Sequence, residues 1–199
     1  MNPFDRDKAL EYAQEAVRAT EDASRRLLAD SFADLWHAFE IIRDTFQNAG
    51  HLHVCGNGGS AADAQHFVTE LVVRLDSQSK RRPLPATSLS TDTSILTAAA
   101  NDLGFERVFA RQIEARAKSG DLLLLISTSG NSPNLLAAAD AARLNLVRTI
   151  ALLGRDGGAL KPLVDCAVVI PSDNTQRIQE VQTLVLHLWC EWLDPVFTS

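Results

Sequence analysis

The chain has 199 residues, with 19 Lys and Arg against 25 Asp and Glu, a net charge of −6 with its five histidines neutral. The length fits one domain, spanning residues 1–199. Its basic residues are scattered, with SKRRP at 79–83 the only cluster, which excludes the concentrated positive face of a nucleic-acid binder; no apolar run approaches the roughly 18 residues of a membrane span. The amino terminus, MNPFDRDKALEYAQEA, is charged rather than signal-like, so a soluble, cytoplasmic protein is expected. Cys55, Cys166 and Cys190 are odd in number, far apart and set in apolar sequence, the pattern of buried thiols rather than of disulfides or a zinc ribbon.

Taken in chain order, apolar residues from about Asp5 to Gln47 recur at helical spacing (Ala9, Tyr12, Ala16, then Leu27, Leu28, Phe32, Leu35, Phe39, Ile42, Phe46) and predict two helices joined near Ala29 to Ser31, with Gly50 stopping the second. Residues 1–49 thus form an amino-terminal helical extension. Short apolar runs then alternate with helical stretches: HLHVCG before a helix from about Ser60 to Arg74, and ATSL before helices over Thr93 to Ala100 and Glu106 to Ala117. LLLLIS leads to a helix from Ser132 to Leu144, TIALLG to a short turn near Ala159, and CAVVI to a last helix from about Thr175 to Leu193. Five short buried strands alternating with helices predict an α/β fold, a parallel sheet with helices on both faces.

Two loops stand out. CGNGGSAADAQHF leaves the first strand and enters a helix with Ser60 at the expected N-cap, and STSGNSPNLL does the same after the third strand, with Ser132 as cap and Pro133 in the first turn. Both fall at the carboxyl edge of a parallel sheet, where such folds bind ligands, and a helix N-terminus surrounded by hydroxyls suits a phosphate. No Lys follows the glycines as in a Walker loop, and GNGGSAAD lacks the G-x-G-x-x-G spacing, so no nucleotide is expected.

These two segments, with TDTSILTAAANDLGF between them and RIQEVQTLVLH near the end, resemble the sugar isomerase (SIS) family over the whole chain, and within it most nearly the phosphoheptose isomerase branch. The resemblance implies a three-layer architecture around a five-stranded parallel sheet, a homotetramer, and sites built where subunits meet. It implies a sugar phosphate held by Ser127, Thr128, Ser129 and Ser132 with help from Asn57, Gly58 and Ser60. It makes Glu70 the catalytic carboxylate and His187 the catalytic imidazole, and it matches His66, Glu70, Gln179 and His187 to positions that bind zinc in some members. Asp102 matches a position near the site.

The residues themselves bear on this in part. His66 and Glu70 are four apart and share a helix face, and Arg74, four further on, is placed to contact substrate oxygens or the Glu70 carboxylate. Asp63, one turn before His66, either orients that imidazole or favours the helix dipole. Gln179 and His187 interrupt a face filled by Ile178, Val181, Val185 and Leu188, but eight residues of helix part them by about 12 Å, a long reach for one ion. Where many members of the family read RIQExH, this chain has Gln182, and Gln176 stands where some carry an acid. These departures leave Glu70 and His187 in place and bear on substrate choice and rate. Three readings follow: an isomerase passing through an enediol, with sedoheptulose 7-phosphate and D-glycero-D-manno-heptose 7-phosphate as its pair; a non-catalytic tetramer of the same fold that binds a replication-initiator protein; and a sugar-phosphate sensor. Retained proton-transfer groups favour the first.

Overall fold

The computed structural model describes residues 5–198. Two helices, α1 (Arg6–Asp30) and α2 (Phe32–Gln47), precede β1 (Leu52–Gly56), α3 (Gly59–Val72), β2 (Ala86–Ser88), α4 (Thr93–Leu103), α5 (Ala110–Arg116), β3 (Leu122–Ser127), α6 (Pro133–Leu144), β4 (Arg148–Gly154), β5 (Cys166–Ile170) and α7 (Thr175–Phe197). Side chains cap three of the helices where expected chemistry sits: Asp5 accepts from the Lys8 amide, Asp92 from Ile95, and Asn174 from Gln176 and Arg177.

All five strands are parallel, in the order β2-β1-β3-β4-β5. Alternate residues of the central strands feed two cores. Leu52, Val54, Leu122, Leu124 and Ile126 pack with α1, α2, α3 and α7, whereas Cys55, Leu123 and Leu125 pack with α4, α5 and α6. Both faces of the sheet are therefore covered, as the continuous apolar strands predict. All three cysteines are buried and free; burial pushes the Cys166 thiol up to about 11 and Cys190 to about 12, so none is a nucleophile at neutral pH.

Several local expectations change. The second helix ends at Gln47, not at a glycine; Gly50 is required because a Cβ there would stand 2.2 Å from the Gly120 carbonyl oxygen, in the turn that leads into β3. Helix α3 begins one residue before Ser60, with Gly58 at its N-cap, and stops at Val72, two residues short of Arg74. Arg81 explains the stop: its guanidinium donates to the carbonyl oxygens of Glu70 (2.7 Å) and Leu71 (2.9 Å), satisfying the helix end. The expected Glu106 to Ala117 helix is a 3₁₀ turn at Phe105–Arg107 followed by α5, and α7 runs on through Pro195 to Phe197. No helix among the described residues is long and apolar enough to cross a membrane.

Candidate active site

In the strand order 2-1-3-4-5 the chain departs in opposite directions from β1 and β3, and the crevice between their carboxyl ends is the natural ligand position. Both glycine- and hydroxyl-rich loops open into it. They line a small cavity of about 60 Å³ with Asn57, Ser60, Ser127, Thr128, Ser129 and Ser132, closed below by Ile126 and Leu135. A water takes about 30 Å³ of liquid, so the space suits a group of phosphate size. Gly130 shapes the third-strand loop: its φ is +65°, and a Cβ would come 1.9 Å from the Gly157 carbonyl oxygen. The Ser127 hydroxyl accepts from the Gly130 amide and the Ser129 hydroxyl from Asn131.

Ser132 occupies the N-cap of α6 but makes no side-chain capping bond, contrary to expectation, and Ser60 lies inside α3 rather than at its cap. The hydroxyls of Ser60, Thr128 and Ser132 thus have no protein partner among the described residues and stand open to the cavity for an anion. Asn57 is different. Its amide exchanges two hydrogen bonds with Asn134 (2.9 and 2.8 Å), a buried residue in the first turn of α6 that the sequence analysis did not single out. The pair ties the first loop to the third-strand helix and so fixes the cavity's width. Gly58, expected to help hold the phosphate, is exposed and is not part of the cavity's lining.

From this cavity α3 and α7 run side by side, and three contacts define the seam between them. A Cβ on Gly59 would lie 2.4 Å from Gln179 Nε2, Thr183 donates to Asp63 Oδ1 (3.2 Å), and His66 Nε2 faces His187 Nε2 at 2.8 Å. On the far side of His66, Nδ1 stands 3.6 Å from Glu70 Oε1. One proton serves the two facing nitrogens, and the tautomer of each ring decides which of them donates it. The result is a carboxylate, an imidazole and a second imidazole in line. Asp63 bonds Thr183 rather than orienting His66 directly; burial raises its pKa above the ordinary value, with Thr183 and His66 pulling it back.

The expected zinc set is only partly assembled. Gln179 lies against Gly59, two turns of α7 away from His187, and no trio of His, Cys, Asp or Glu among the described residues is arranged around an ion. Two facing imidazole nitrogens with a carboxylate one turn away are nevertheless the donor types zinc takes.

Other expected residues fall outside. Arg74, beyond the end of α3, is exposed and donates to the Ser77 carbonyl, because Arg81 rather than further helix completes α3. Asp102 is exposed on the last turn of α4, with Asn101 as its partner. Gln182 is wholly buried and donates to the Leu152 carbonyl, and Gln176 is exposed at the start of α7, so neither departure touches the seam. Arg81 was missed: its guanidinium also pairs with Asp194 of α7 at 2.9 Å, clamping the two helices that carry Glu70 and His187. The signal was the basic cluster at 79–83, which was weighed only against a nucleic-acid face.

A family model described as "SIS domain" matches residues 11–154. The chain belongs to the SIS family. It is 46% identical over 184 residues to a phosphoheptose isomerase of Helicobacter pylori (strain P12), covering 92% of this chain and 95% of that protein, and 45% identical over 185 residues to one of Geobacter sp. (strain M21), covering 93% and 95%. Among solved structures, the phosphoheptose isomerase GmhA from Neisseria gonorrhoeae superposes with a TM-score of 0.84 at 38% identity, covering 96% of this chain and 98% of that one. A phosphoheptose isomerase from Francisella tularensis gives 0.85 at 35% identity, covering 95% and 97%.

Proposed function

We propose that the protein is an aldose-ketose isomerase that interconverts sedoheptulose 7-phosphate and D-glycero-D-manno-heptose 7-phosphate. The observation that carries this reading is the line Glu70, His66, His187 at one end of a helix seam whose other end opens on an anion cavity lined by uncommitted hydroxyls. Relatives named phosphoheptose isomerases at 45 and 46% identity support the substrate class. The spacing agrees with it. Six residues of α3 part Ser60 from His66, about 9 Å along the helix axis. A phosphate anchored in the cavity therefore sits far from the proton-transfer groups, as a long sugar with its phosphate at the remote end requires, and a three-carbon phosphate would fall short.

In the ketose the carbonyl is at C2. A base removes a proton from C1 while the C2 oxygen gains one, giving the enediol; the C1 hydroxyl then loses its proton as C2 receives one, leaving an aldehyde at C1. Glu70 and His187 exchange these protons, with His66 between them sharing a proton with His187. Asn57 and Asn134 keep the loops at the width of the phosphate, and Ser60, Thr128, Ser129 and Ser132 donate to its oxygens, each bond to the charged group worth about 1.5 to 3 kcal/mol. His66 and His187, with Glu70 and Gln179 completing the set, would hold zinc, which when bound polarises substrate oxygens as a Lewis acid.

Exposed Phe32 and Trp36 on α2, next to Trp192 of α7, leave an aromatic face that supports burial between subunits of a homotetramer through the amino-terminal helices. A non-catalytic partner protein would need neither the imidazole pair nor the carboxylate behind it. Incubating the purified protein with sedoheptulose 7-phosphate and following the aldose phosphate by NMR tests the reading: conversion is expected, and tight binding without conversion overturns it in favour of a sensor.

A further inference from the structure

At the opposite, amino edge of the sheet the strands leave a second cavity, of about 460 Å³, lined by His51, His53, Thr87, Arg116, Lys118 and Asp121. These residues come from several elements. His51 precedes β1 and His53 lies within it, Thr87 is on β2, Asp121 stands just before β3, and Arg116 and Lys118 lie at and beyond the end of α5. The Asp121 carboxylate is buried and fully engaged: Oδ1 accepts from the His51 amide at 3.0 Å, and Oδ2 from the Lys118 amide at 3.1 Å and faces His53 Nε2 at 3.4 Å. The Thr87 hydroxyl pairs with His51 Nε2 at 2.8 Å, and the two imidazole rings lie 4.7 Å apart. His53 Nδ1 is buried without any hydrogen-bond partner.

The cations are not engaged in the same way. Neither Arg116 nor Lys118 forms an ion pair among the described residues, and Arg116 donates only to the Gln112 side-chain oxygen, at 3.3 Å. Two unpaired cations and two imidazoles thus surround one carboxylate whose oxygens are already taken, so the lining carries more positive than negative charge. No cluster here is arranged to hold a metal ion. What the cavity lacks is negative charge with free acceptor oxygens.

We propose that this cavity is a second ligand site that binds a small phosphate, either inorganic phosphate or the phosphate group of a metabolite, through Arg116, Lys118, His51 and His53. It is separate from the loop cavity at the other end of the same strands and does not depend on the isomerase reading. Burial holds both imidazoles below their ordinary range; Asp121 opposes this for each, while Lys118 adds to it at His51, and His51 and Arg116 add to it at His53. A bound anion favours their protonated forms, so binding takes up protons and tightens as the pH falls.

The test is a titration with inorganic phosphate at constant ionic strength, followed through the imidazole NMR resonances of His51 and His53, assigned with His51→Gln and His53→Gln. The expected result is saturable movement with a dissociation constant on the order of 1 mM near pH 6, weaker near pH 8. It persists in Ser129→Ala, where the loop cavity is impaired, and weakens at least about tenfold in an Arg116→Gln, Lys118→Gln double variant. Both altered residues are at the surface, so this variant is expected to stay folded, and Arg116→Lys should rescue part of the affinity. Movement that sodium chloride reproduces, that disappears in Ser129→Ala, or that survives unchanged in the double variant overturns the proposal.

Discussion

Helix α7 has two long faces with opposite character. Ile178, Val181, Val185 and Trp189 are fully buried against the sheet and α2, and the Trp189 indole donates to the Leu35 carbonyl at 3.2 Å. One strip round the helix, Gln179, Thr183 and His187 meet Gly59, Asp63 and His66 of α3 and remain only partly covered. The first face is satisfied within the fold. The second keeps polar groups in reach of solvent, where a ligand can meet them.

The comparison breaks most visibly on the apolar face. Trp189→Ala removes the largest fully buried side chain together with its indole bond to the Leu35 carbonyl, so chemical denaturation should show a loss of about 3 to 5 kcal/mol. His187→Gln on the other face should leave the denaturation midpoint near that of the wild type while turnover falls by roughly 10² to 10⁴. Metal analysis of the same variant should show weaker zinc retention than the wild type if the proposed zinc set, of which His187 is one member, holds the ion. Equal stability losses in both variants would erase the distinction between the faces.

The sequence carried the fold almost entirely, because five apolar runs without alternation leave little choice but a parallel sheet covered on both sides. The two loops were legible for the same reason: hydroxyls and glycines directly after a buried strand have no core role. What could not be read was how helix ends are completed. Arg81 ends α3 from a distance of ten residues, which moved Arg74 off the face it was expected to share with Glu70. The link from Glu70 through His66 to His187 was hidden because it needs two helices to meet in parallel, and one-dimensional spacing does not give their register. Trp189 is core, whereas Phe32, Trp36 and Trp192 of the neighbouring aromatic set approach the surface, a difference that helical spacing alone does not show. Gln182, which as a departure from the family pattern invited doubt about substrate choice, lies under the opposite face of α7.

Smaller effects sharpen the picture. Ser129→Ala should weaken sugar-phosphate binding at least about tenfold by calorimetry with an unchanged fold, as one hydrogen bond to a charged group is lost; an unchanged dissociation constant would remove this loop from the site. Asp63→Asn should have the slightest effect of all. Because burial raises the Asp63 pKa, the ionised carboxylate is disfavoured in the folded state, and that penalty disappears as the pH falls through the raised pKa. The neutral amide should therefore leave the melting temperature equal or slightly higher at pH 7, with the difference fading toward pH 4. A clear drop at pH 7 would mean that the Thr183 bond outweighs burial.

The central claim is that Glu70 moves a proton at the far end of the seam while the loops hold the phosphate. Incubation with sedoheptulose 7-phosphate in deuterated water tests it directly, with NMR reading both solvent deuterium entering the carbon-bound positions next to the carbonyl and the aldose phosphate that forms. The wild type should exchange and convert, and Glu70→Gln should bind the ketose with a similar dissociation constant while both exchange and conversion fall by roughly 10² to 10⁴. Exchange by Glu70→Gln at the wild-type rate would contradict the account, as would a wild type that binds the sugar phosphate and exchanges nothing.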